Sequence, residues 1–171
     1  MRLLPFVLLF LLCFSSCKSA KLAKRSNNTS SVSIKPKTIS KAKLALANTI
    51  VDNARIFIGT KYKYGGITKK GIDCSGLIFV SFKKEDIDVP RVSRDMAKRG
   101  QRITLLNVQK GDLLFFRTSK SRKAINHVGL VVSSKRGTID FIHSTTNKGV
   151  ITSSLSEHYW KFAFIEARRI L

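Results

Sequence analysis

The chain has 171 residues, which is enough for one domain with a full hydrophobic core and short appendages. Its composition is that of a globular protein, and 32 Lys and Arg against 10 Asp and Glu give a formal net charge of +22. This charge favours an anionic polymer or membrane surface as a partner. The sequence contains no internal repeat and no second domain. So basic a chain usually suggests nucleic acid, but no nucleic-acid-binding motif is present and the export signal described next makes nucleic acid an unexpected partner.

The first residues carry the pattern of a bacterial export signal. A positive start, Met1-Arg2, precedes an apolar run at residues 3–12 that is too short to span a bilayer comfortably. The run ends in Phe14-Ser15-Ser16-Cys17, which resembles a lipobox, the motif whose cysteine is lipidated. We therefore predict a lipoprotein signal peptide at residues 1–16 and a lipid anchor on Cys17. An uncleaved or ordinarily cleaved signal is the alternative.

Residues 17–43 follow the predicted anchor and are rich in Ser, Asn and Thr. From residue 18 to residue 43 there are eight basic residues and no acidic ones, so this segment cannot bury enough apolar surface to fold. We predict a flexible basic tether between a membrane anchor and a domain at residues 44–171. Lys18 stands where Asp would favour inner-membrane retention in enteric bacteria. We therefore expect an exported lipoprotein of the outer membrane, facing the periplasm.

Cysteine usage indicates one reactive thiol. The chain has three cysteines, of which Cys13 would leave with the signal and Cys17 would carry lipid. Cys74 would then be the free thiol of the mature chain, which excludes an internal disulfide. A single thiol in an oxidising compartment is a liability, so its presence favours a chemical role.

Two helices are predicted in the first half of the domain. The first covers residues 44–58, where apolar residues recur at helical spacing, and Gly59 ends it. The second runs from residue 74 to about residue 84, with Asp73 as its N-cap and with Gly76 leaving space for another backbone segment. At its first turn the helix dipole and the free backbone N–H groups are expected to lower the pKa of Cys74. A buried structural cysteine is the alternative.

The second half of the domain shows strand patterns. Short β-branched or aromatic runs are separated by clusters of Gly, Ser, Asn and Lys. Helices first and strands afterwards predict an α+β domain, with N-terminal helices packed on an antiparallel sheet. The predicted strands are 112–116, 127–133, 138–142, 150–152 and 162–170, with a short helix from 93 to 98 or 99 and a helical turn at 155–160.

Two of the three histidines fall at predicted strand ends. His127 opens one strand and His143 closes the next, so a hairpin would make the two imidazoles neighbours. One ring could accept a proton from Cys74 while the other orients it. His158 lies in a charged segment and is assigned to the surface. The alternatives are ordinary polar strand ends, or a zinc site of Cys74, His127 and His143, for which the wide spacings give little support.

A series of short motifs runs through residues 44–171. They are Tyr62 with Gly65-Gly66, Gly71-Ile72-Asp73-Cys74-Ser75-Gly76, Pro90-Arg91, Gly111-Asp112-Leu113, His127-Val128-Gly129, His143-Ser144 and Tyr159-Trp160-Lys161. With these residues the chain resembles the NlpC/p60 family of cell-wall cysteine peptidases, and within it the Spr-type murein endopeptidases. The resemblance implies a papain-like α+β fold with the catalytic cysteine at a helix N-terminus, and it implies no metal and no cofactor.

The resemblance also implies roles for single residues. Cys74 is expected to be the nucleophile, His127 the general base, and His143 the polar residue that orients this base. Met96 stands where relatives often carry Gln, which places substrate contacts from its helix in question but not the chemistry.

Three residues near the nucleophile are further candidates. Tyr62, twelve positions before the cysteine, is expected to lend its hydroxyl to an oxyanion hole beside the backbone N–H of Cys74. Asp73 and Ser75 flank the cysteine and are expected to contribute to oxyanion or substrate contacts. A packing role for Tyr62 and a purely capping role for Asp73 are the alternatives.

The function implied by the resemblance is that of a monomeric peptidoglycan endopeptidase with a Cys-His-His mechanism. Spr-type enzymes cut the cross-link between D-Ala and meso-diaminopimelate, which is the preferred expectation. Many other family members cut between D-Glu and diaminopimelate within one stem. An amidase or acyltransferase on the same scaffold, and a non-catalytic cell-wall-binding lipoprotein, are the remaining alternatives.

Overall fold

The structure, a computed structural model, describes residues 41–119, 124–135 and 137–171, and these belong to one unit of the chain. The predicted signal peptide, Cys17 and nearly all of the predicted tether lie outside the described residues. Within the described ranges, none of the helices combines the length and the apolar composition needed to cross a membrane.

Within the described part of the domain there are four helices and eight strands. The helices are α1 (Lys41–Arg55), α2 (Cys74–Lys83), α3 (Ser93–Met96) and α4 (His158–Ala163), with a 3-10 turn at Leu105–Asn107. The strands are β1 (Ile67–Thr68), β2 (Gly71–Ile72), β3 (Gln101–Ile103), β4 (Leu113–Phe116), β5 (His127–Lys135), β6 (Thr138–Thr145), β7 (Gly149–Ser154) and β8 (Phe164–Arg169). The predicted helix at residues 44–58 therefore begins three residues earlier, at Lys41, and ends three residues earlier, at Arg55, before a turn that reaches Gly59. The last residues of the predicted tether belong to this helix.

A six-stranded antiparallel sheet forms the centre of the domain, with the strand order β3-β8-β4-β5-β6-β7. The separate pair β1 and β2 forms a small antiparallel hairpin just before α2. The predicted α+β class with helices on an antiparallel sheet is confirmed. The predicted closing strand lies inside the sheet, between β3 and β4, and the charged edge strand β3 was not predicted.

Both faces of the sheet are covered. Successive residues of β4 point to opposite faces, and both sets of side chains are buried. Leu113 and Phe115 belong to a core that includes the buried faces of α1 and α2. Leu114 and Phe116 belong to a second core with Trp160 and other residues that follow β7. Helices α1 and α2 thus pack on the first face of the sheet. Helix α4 packs on the second face, near β5 and β6.

Side-chain hydrogen bonds fix α1 against α2. Asn53 of α1 donates from Nδ2 to the backbone carbonyl of Ser81 at 3.3 Å and to Oε1 of Glu85 at 2.7 Å. These bonds and the buried stripe of α1 hold α2 on the sheet, so that its first turn faces the start of β5.

Candidate active site

The first turn of α2 presents Cys74, as the sequence predicts. Asp73 is the N-cap, with extended backbone angles, and its Oδ1 accepts a hydrogen bond from the backbone N–H of Gly76 at 2.6 Å. Cys74 is a free cysteine and its side chain is buried, with 8% of the residue exposed.

Gly76 lets the preceding loop approach this turn closely. A Cβ at Gly76 would collide with the backbone carbonyl oxygen of Gly66, and a Cβ at Gly66 would collide with that of Gly71. Glycine is therefore needed at position 76 for the approach of Gly66, and at position 66 for a separate approach of Gly71. The predicted close approach at Gly76 is confirmed.

Arg91 joins this loop to the helix through Asp73. Its guanidinium donates to Oδ1 of Asp73 at 2.9 Å and to Oδ2 at 2.8 Å, a bidentate ion pair. It also donates to the hydroxyl of Ser75 at 2.9 Å and to the backbone carbonyl of Gly66 at 3.2 Å. Burial raises the pKa of Asp73, but the hydrogen bonds from Arg91 and Gly76 outweigh it and hold this pKa below the ordinary value of 3.8.

These bonds support the capping alternative for Asp73. Both of its carboxylate oxygens are occupied, because Oδ2 also accepts from the backbone N–H of Gly65 at 2.7 Å. The hydroxyl of Ser75 is engaged in the same network, where it donates to Asp73 at 3.1 Å. Oxyanion or substrate contacts from Asp73 and Ser75 stay predictions.

The two predicted histidines meet beside the start of β5. Nε2 of His127 and Nδ1 of His143 are 2.9 Å apart, and both residues are buried. The neighbourhood predicted from the hairpin is confirmed, although His143 lies inside β6 and does not close it. On its far side, Nε2 of His143 is 3.1 Å from Oγ of Ser153 in β7. The sequence analysis did not identify Ser153.

An aromatic cage surrounds the two imidazoles. Trp160 stacks on His127 with ring centroids 5.3 Å apart and an interplanar angle of 22°, and it meets His143 edge-on at 4.6 Å. Phe141 lies 4.7 Å from His143 and Phe116 lies 6.0 Å from His127. Trp160 belongs to one of the sequence motifs, but no role was predicted for it. The cage keeps water from most of both rings.

Burial determines the charge state of the reacting groups. It raises the pKa of Cys74 to about 11, with the carboxylate of Asp73 adding to the effect and a hydrogen bond from the backbone N–H of Val128 opposing it. Burial lowers the pKa of His127 to about 4, and burial together with His127 lowers that of His143 to about 3. The predicted lowering of the thiol pKa by the helix start is therefore wrong. The resting pair is a neutral thiol and a neutral imidazole.

Cys74 opens onto two cavities. One has a volume of about 630 Å³ and is lined by Cys74 and His127, and also by the charged residues Lys148 and Glu157. The other, of about 470 Å³, is lined by Cys74 and by residues of the Arg91 region, including Arg94. The two cavities share Tyr62, Tyr64, Cys74 and Asn126 as lining residues.

Tyr62 lines both cavities together with Cys74. Its backbone forms an isolated bridge with Ile72, two residues before the cysteine. Ile72 is fixed in turn by the hydroxyl of Ser144, which donates to its carbonyl at 2.8 Å. Tyr62 thus lines the same cavities as the predicted nucleophile. A role of its hydroxyl in an oxyanion hole stays a prediction.

Comparison with known proteins identifies the family. Residues 59–169 match the NlpC/P60 family. The chain belongs to the NlpC/P60 family. Over 123 residues it is 37% identical to the Escherichia coli K12 protein named murein DD-endopeptidase MepS/murein LD-carboxypeptidase, a match covering 71% of this chain and 62% of that protein. Over 139 residues it is 40% identical to the gamma-DL-glutamyl hydrolase of Bacillus subtilis 168, covering 77% and 33%.

The chain therefore spans less than two thirds of the length of these two relatives. Among solved structures, an NLP/P60 protein of Staphylococcus aureus Mu50 described as similar to lipoprotein has a TM-score of 0.66 and 30% identity, covering 81% of this chain and 44% of that one. The NlpC/P60 fold expected from the sequence motifs is confirmed.

Two further predicted residues can be placed within the NlpC/P60 domain. Met96 is completely buried in the first core, so it faces no cavity, whereas Ser93 and Arg94 of the same helix line the smaller one. His158 is exposed, as expected, with its ring 4.4 Å from that of Phe162.

The zinc alternative finds no support in the NlpC/P60 domain. Across residues 41–119, 124–135 and 137–171 there is no group of three or more His, Cys, Asp and Glu side chains suited to a metal ion. In the hydrogen bond between His127 and His143 one ring nitrogen donates its N–H and the other uses its lone pair, so neither of these two nitrogens is available to a metal.

Proposed function

We propose that this NlpC/P60 protein is a peptidoglycan endopeptidase that hydrolyses a peptide bond in murein stem peptides or cross-links with Cys74, His127 and His143. One observation carries the proposal. A helix-start cysteine and a histidine line the same cavity, and that histidine is hydrogen-bonded to a second, buried histidine. This is the arrangement of nucleophile, base and orienting group that acyl transfer requires.

The neutral resting pair favours general-base attack over a preformed ion pair. As the sulfur of Cys74 adds to the carbonyl carbon, its proton passes to Nδ1 of His127, the ring nitrogen that does not face His143. The carbonyl electrons move to the oxygen, which accepts hydrogen bonds from the backbone N–H of Cys74 and the hydroxyl of Tyr62.

The imidazolium of His127 then gives its proton to the leaving amine, and a thioester on Cys74 remains. His127 next removes a proton from water as the water oxygen adds to the thioester carbonyl. When that intermediate collapses, the carboxylic acid is released and the sulfur of Cys74 recovers the proton from His127.

The cross-link between D-Ala and meso-diaminopimelate is the preferred bond, supported by the similarity to a protein named murein DD-endopeptidase. The bond between D-Glu and diaminopimelate within one stem is the second candidate, and the similarity to a gamma-DL-glutamyl hydrolase favours it. The coupling of Cys74, His127 and His143 in one site weighs against a purely wall-binding lipoprotein.

The cellular setting belongs to the same proposal. We infer an exported lipoprotein held in the outer membrane through Cys17, acting as a monomer on peptidoglycan without a cofactor. Similarity to a murein enzyme and to a protein described as similar to lipoprotein supports this setting. The basic charge of the chain would keep it on the anionic wall.

Mass spectrometry of muropeptides tests the function. Purified peptidoglycan is incubated with the full-length protein, with Cys74→Ala, and with His158→Gln as a control that removes an exposed imidazole. We expect cross-linked dimers to be lost and monomers gained with the wild type and His158→Gln, and a loss of rate of roughly a thousandfold or more with Cys74→Ala. Stems ending at D-Glu would select the second bond. Substantial cleavage by Cys74→Ala would contradict the mechanism.

A further inference from the structure

Ser153 extends the hydrogen-bonded pair of His127 and His143 to a series of three side chains, because its hydroxyl is within hydrogen-bond distance of His143. The register of β6 and β7 pairs Phe141 with Ser153 and His143 with Ile151, so His143 and Ser153 are diagonal neighbours on one face of the sheet. Ser153 is buried, whereas the preceding residue, Thr152, is exposed. The hydroxyl of Ser153 therefore lies next to the ring of His143 and borders the larger cavity, at the end of the series His127, His143, Ser153.

This series has two possible hydrogen-bond directions, because each neutral imidazole has one N–H and one lone pair. In the first, Nε2–H of His127 donates to Nδ1 of His143, and Nε2–H of His143 donates to Oγ of Ser153. In the second, the hydroxyl of Ser153 donates to Nε2 of His143, and Nδ1–H of His143 donates to Nε2 of His127. The observed distances of 2.9 Å and 3.1 Å fit either direction.

Only the first direction leaves a working base. It places the protons of both rings on Nε2, so that Nδ1 of His127 keeps its lone pair for the thiol proton of Cys74. The second direction puts a proton on Nδ1 of His127 and blocks that transfer. The direction of the hydrogen bond between His143 and Ser153 thus determines whether His127 can accept the proton of Cys74.

We propose that Ser153 is a positioning residue that accepts a hydrogen bond from His143 and, through that ring, holds His127 in the tautomer that can take the proton of Cys74. The proposal rests on the proposed function for its consequence in catalysis. Its structural content, the tautomer of two named rings, does not depend on the substrate.

The aromatic cage strengthens this control. Trp160 and Phe141 cover His143 with apolar surface and leave that ring fully buried, so its Nε2 has the hydroxyl of Ser153, which lines the larger cavity, as its neighbour. A buried N–H without an acceptor is costly, so removal of the hydroxyl should shift His143 to the other tautomer, in which Nδ1–H donates to His127.

Nitrogen-15 NMR of histidine-labelled full-length protein reads the tautomers directly. The variants are Ser153→Ala, which removes the acceptor, Ser153→Thr, which keeps a hydroxyl on a β-branched strand residue, and Thr152→Ala, which removes an exposed hydroxyl from the same strand. His158→Gln assigns the third ring. Rates on peptidoglycan are measured with the same four proteins and the wild type.

We expect the Nε2–H form of both buried rings in the wild type, in Ser153→Thr and in Thr152→Ala, and its partial or complete loss at both rings in Ser153→Ala. Because this tautomer is lost, kcat of Ser153→Ala should fall about tenfold, which corresponds to the net contribution of one hydrogen bond. KM should change less than about twofold. Ser153→Thr should recover most of kcat.

Two results would overturn the proposal: Nδ1–H rings in the folded wild type, or tautomers in Ser153→Ala that match those of the wild type. A tautomer shift in Ser153→Ala in a protein whose wild type cleaves no peptidoglycan would contradict the proposed function and support the hydrogen-bond coupling. The two ideas therefore fail separately.

Discussion

At Cys74 two opposite influences act on one thiol. The helix start and the hydrogen bond from Val128 favour the thiolate, whereas burial and the carboxylate of Asp73 favour the thiol. Burial is the larger effect, because the sulfur loses more hydration than a ten-residue helix can replace. The sequence shows the helix start directly, but it does not show how deeply a side chain is buried.

The buried histidines make stability depend on pH. In the unfolded chain each ring takes up a proton below pH 6.5, whereas in the folded protein the pKa is about 4 for His127 and about 3 for His143. The free energy of unfolding should therefore fall as the pH drops from about 6.5 towards 3, by up to about 1.4 kcal/mol per pH unit for each ring. Urea unfolding at several pH values measures this slope.

The variant His143→Gln supplies the comparison, because it removes one of the two buried rings. Its free energy of unfolding will be lower at neutral pH. The slope of this free energy against pH should be shallower, by the amount that corresponds to about one bound proton. His158→Gln, which lacks the exposed ring, is the matched control. An equal slope in His143→Gln and His158→Gln would show that the buried ring does not cause the acid sensitivity.

Trp160 is expected to hold both rings out of water. Trp160→Ala should raise the pKa of His127 and His143 towards the ordinary value and reduce the free energy of unfolding by about 3 kcal/mol or more. NMR titration of the ring protons and urea unfolding measure the two effects. Phe162→Ala, which removes a ring that is 75% exposed from the same helix, is the control. Unchanged titration in Trp160→Ala would mean that other groups exclude the water.

At the scale of elements, local rules predicted α2 and the hairpin of β5 and β6 well. Asp73 is a good cap in any context, and alternating apolar residues define β5 whatever lies next to it. Less local features were missed. Ser153 is one of several polar residues near the end of β7, and its contact with His143 depends on the register of β7 with β6. The charged strand β3 owes its structure to pairing with β8, which no local pattern records.

The ion pair of Arg91 and Asp73 should set the position of the loop against α2. Arg91→Ala leaves a buried carboxylate with backbone partners and Ser75 alone, and we expect a loss of about 2 kcal/mol in the free energy of unfolding. Cleavage should also slow, because Cys74 follows Asp73 directly. Lys83→Ala removes the exposed ion pair with Asp88 and should be close to neutral. Equal stability of the two variants would contradict a structural role for Arg91.

At the scale of the whole molecule, charge is the dominant property. Residues 44–171 alone contain 23 Lys and Arg against 10 Asp and Glu, so the basic character is not confined to the predicted tether. This excess is expected to attract the whole domain, and not only the predicted tether, to an acidic polymer.

Binding to peptidoglycan should therefore depend on salt. The inactive full-length Cys74→Ala protein should co-sediment with purified peptidoglycan at about 50 mM salt and lose most of this binding at about 500 mM, where the Debye length is only a few ångströms. Replacing Lys69 and Lys70, exposed in the turn between β1 and β2, by Glu should weaken binding at low salt. Binding that salt leaves unchanged would point to shape-specific recognition instead.

The place of β8 between β3 and β4 has a consequence for the order of events during biosynthesis. Residues 164–169 are synthesised after all the predicted catalytic residues, yet they complete the interior of the sheet and follow directly on the helix that carries Trp160. A nascent chain that already contains Cys74, His127 and His143 thus still lacks the strand and the cage that organise them. The proposed lytic activity would remain silent until β8 has been synthesised and has entered the sheet.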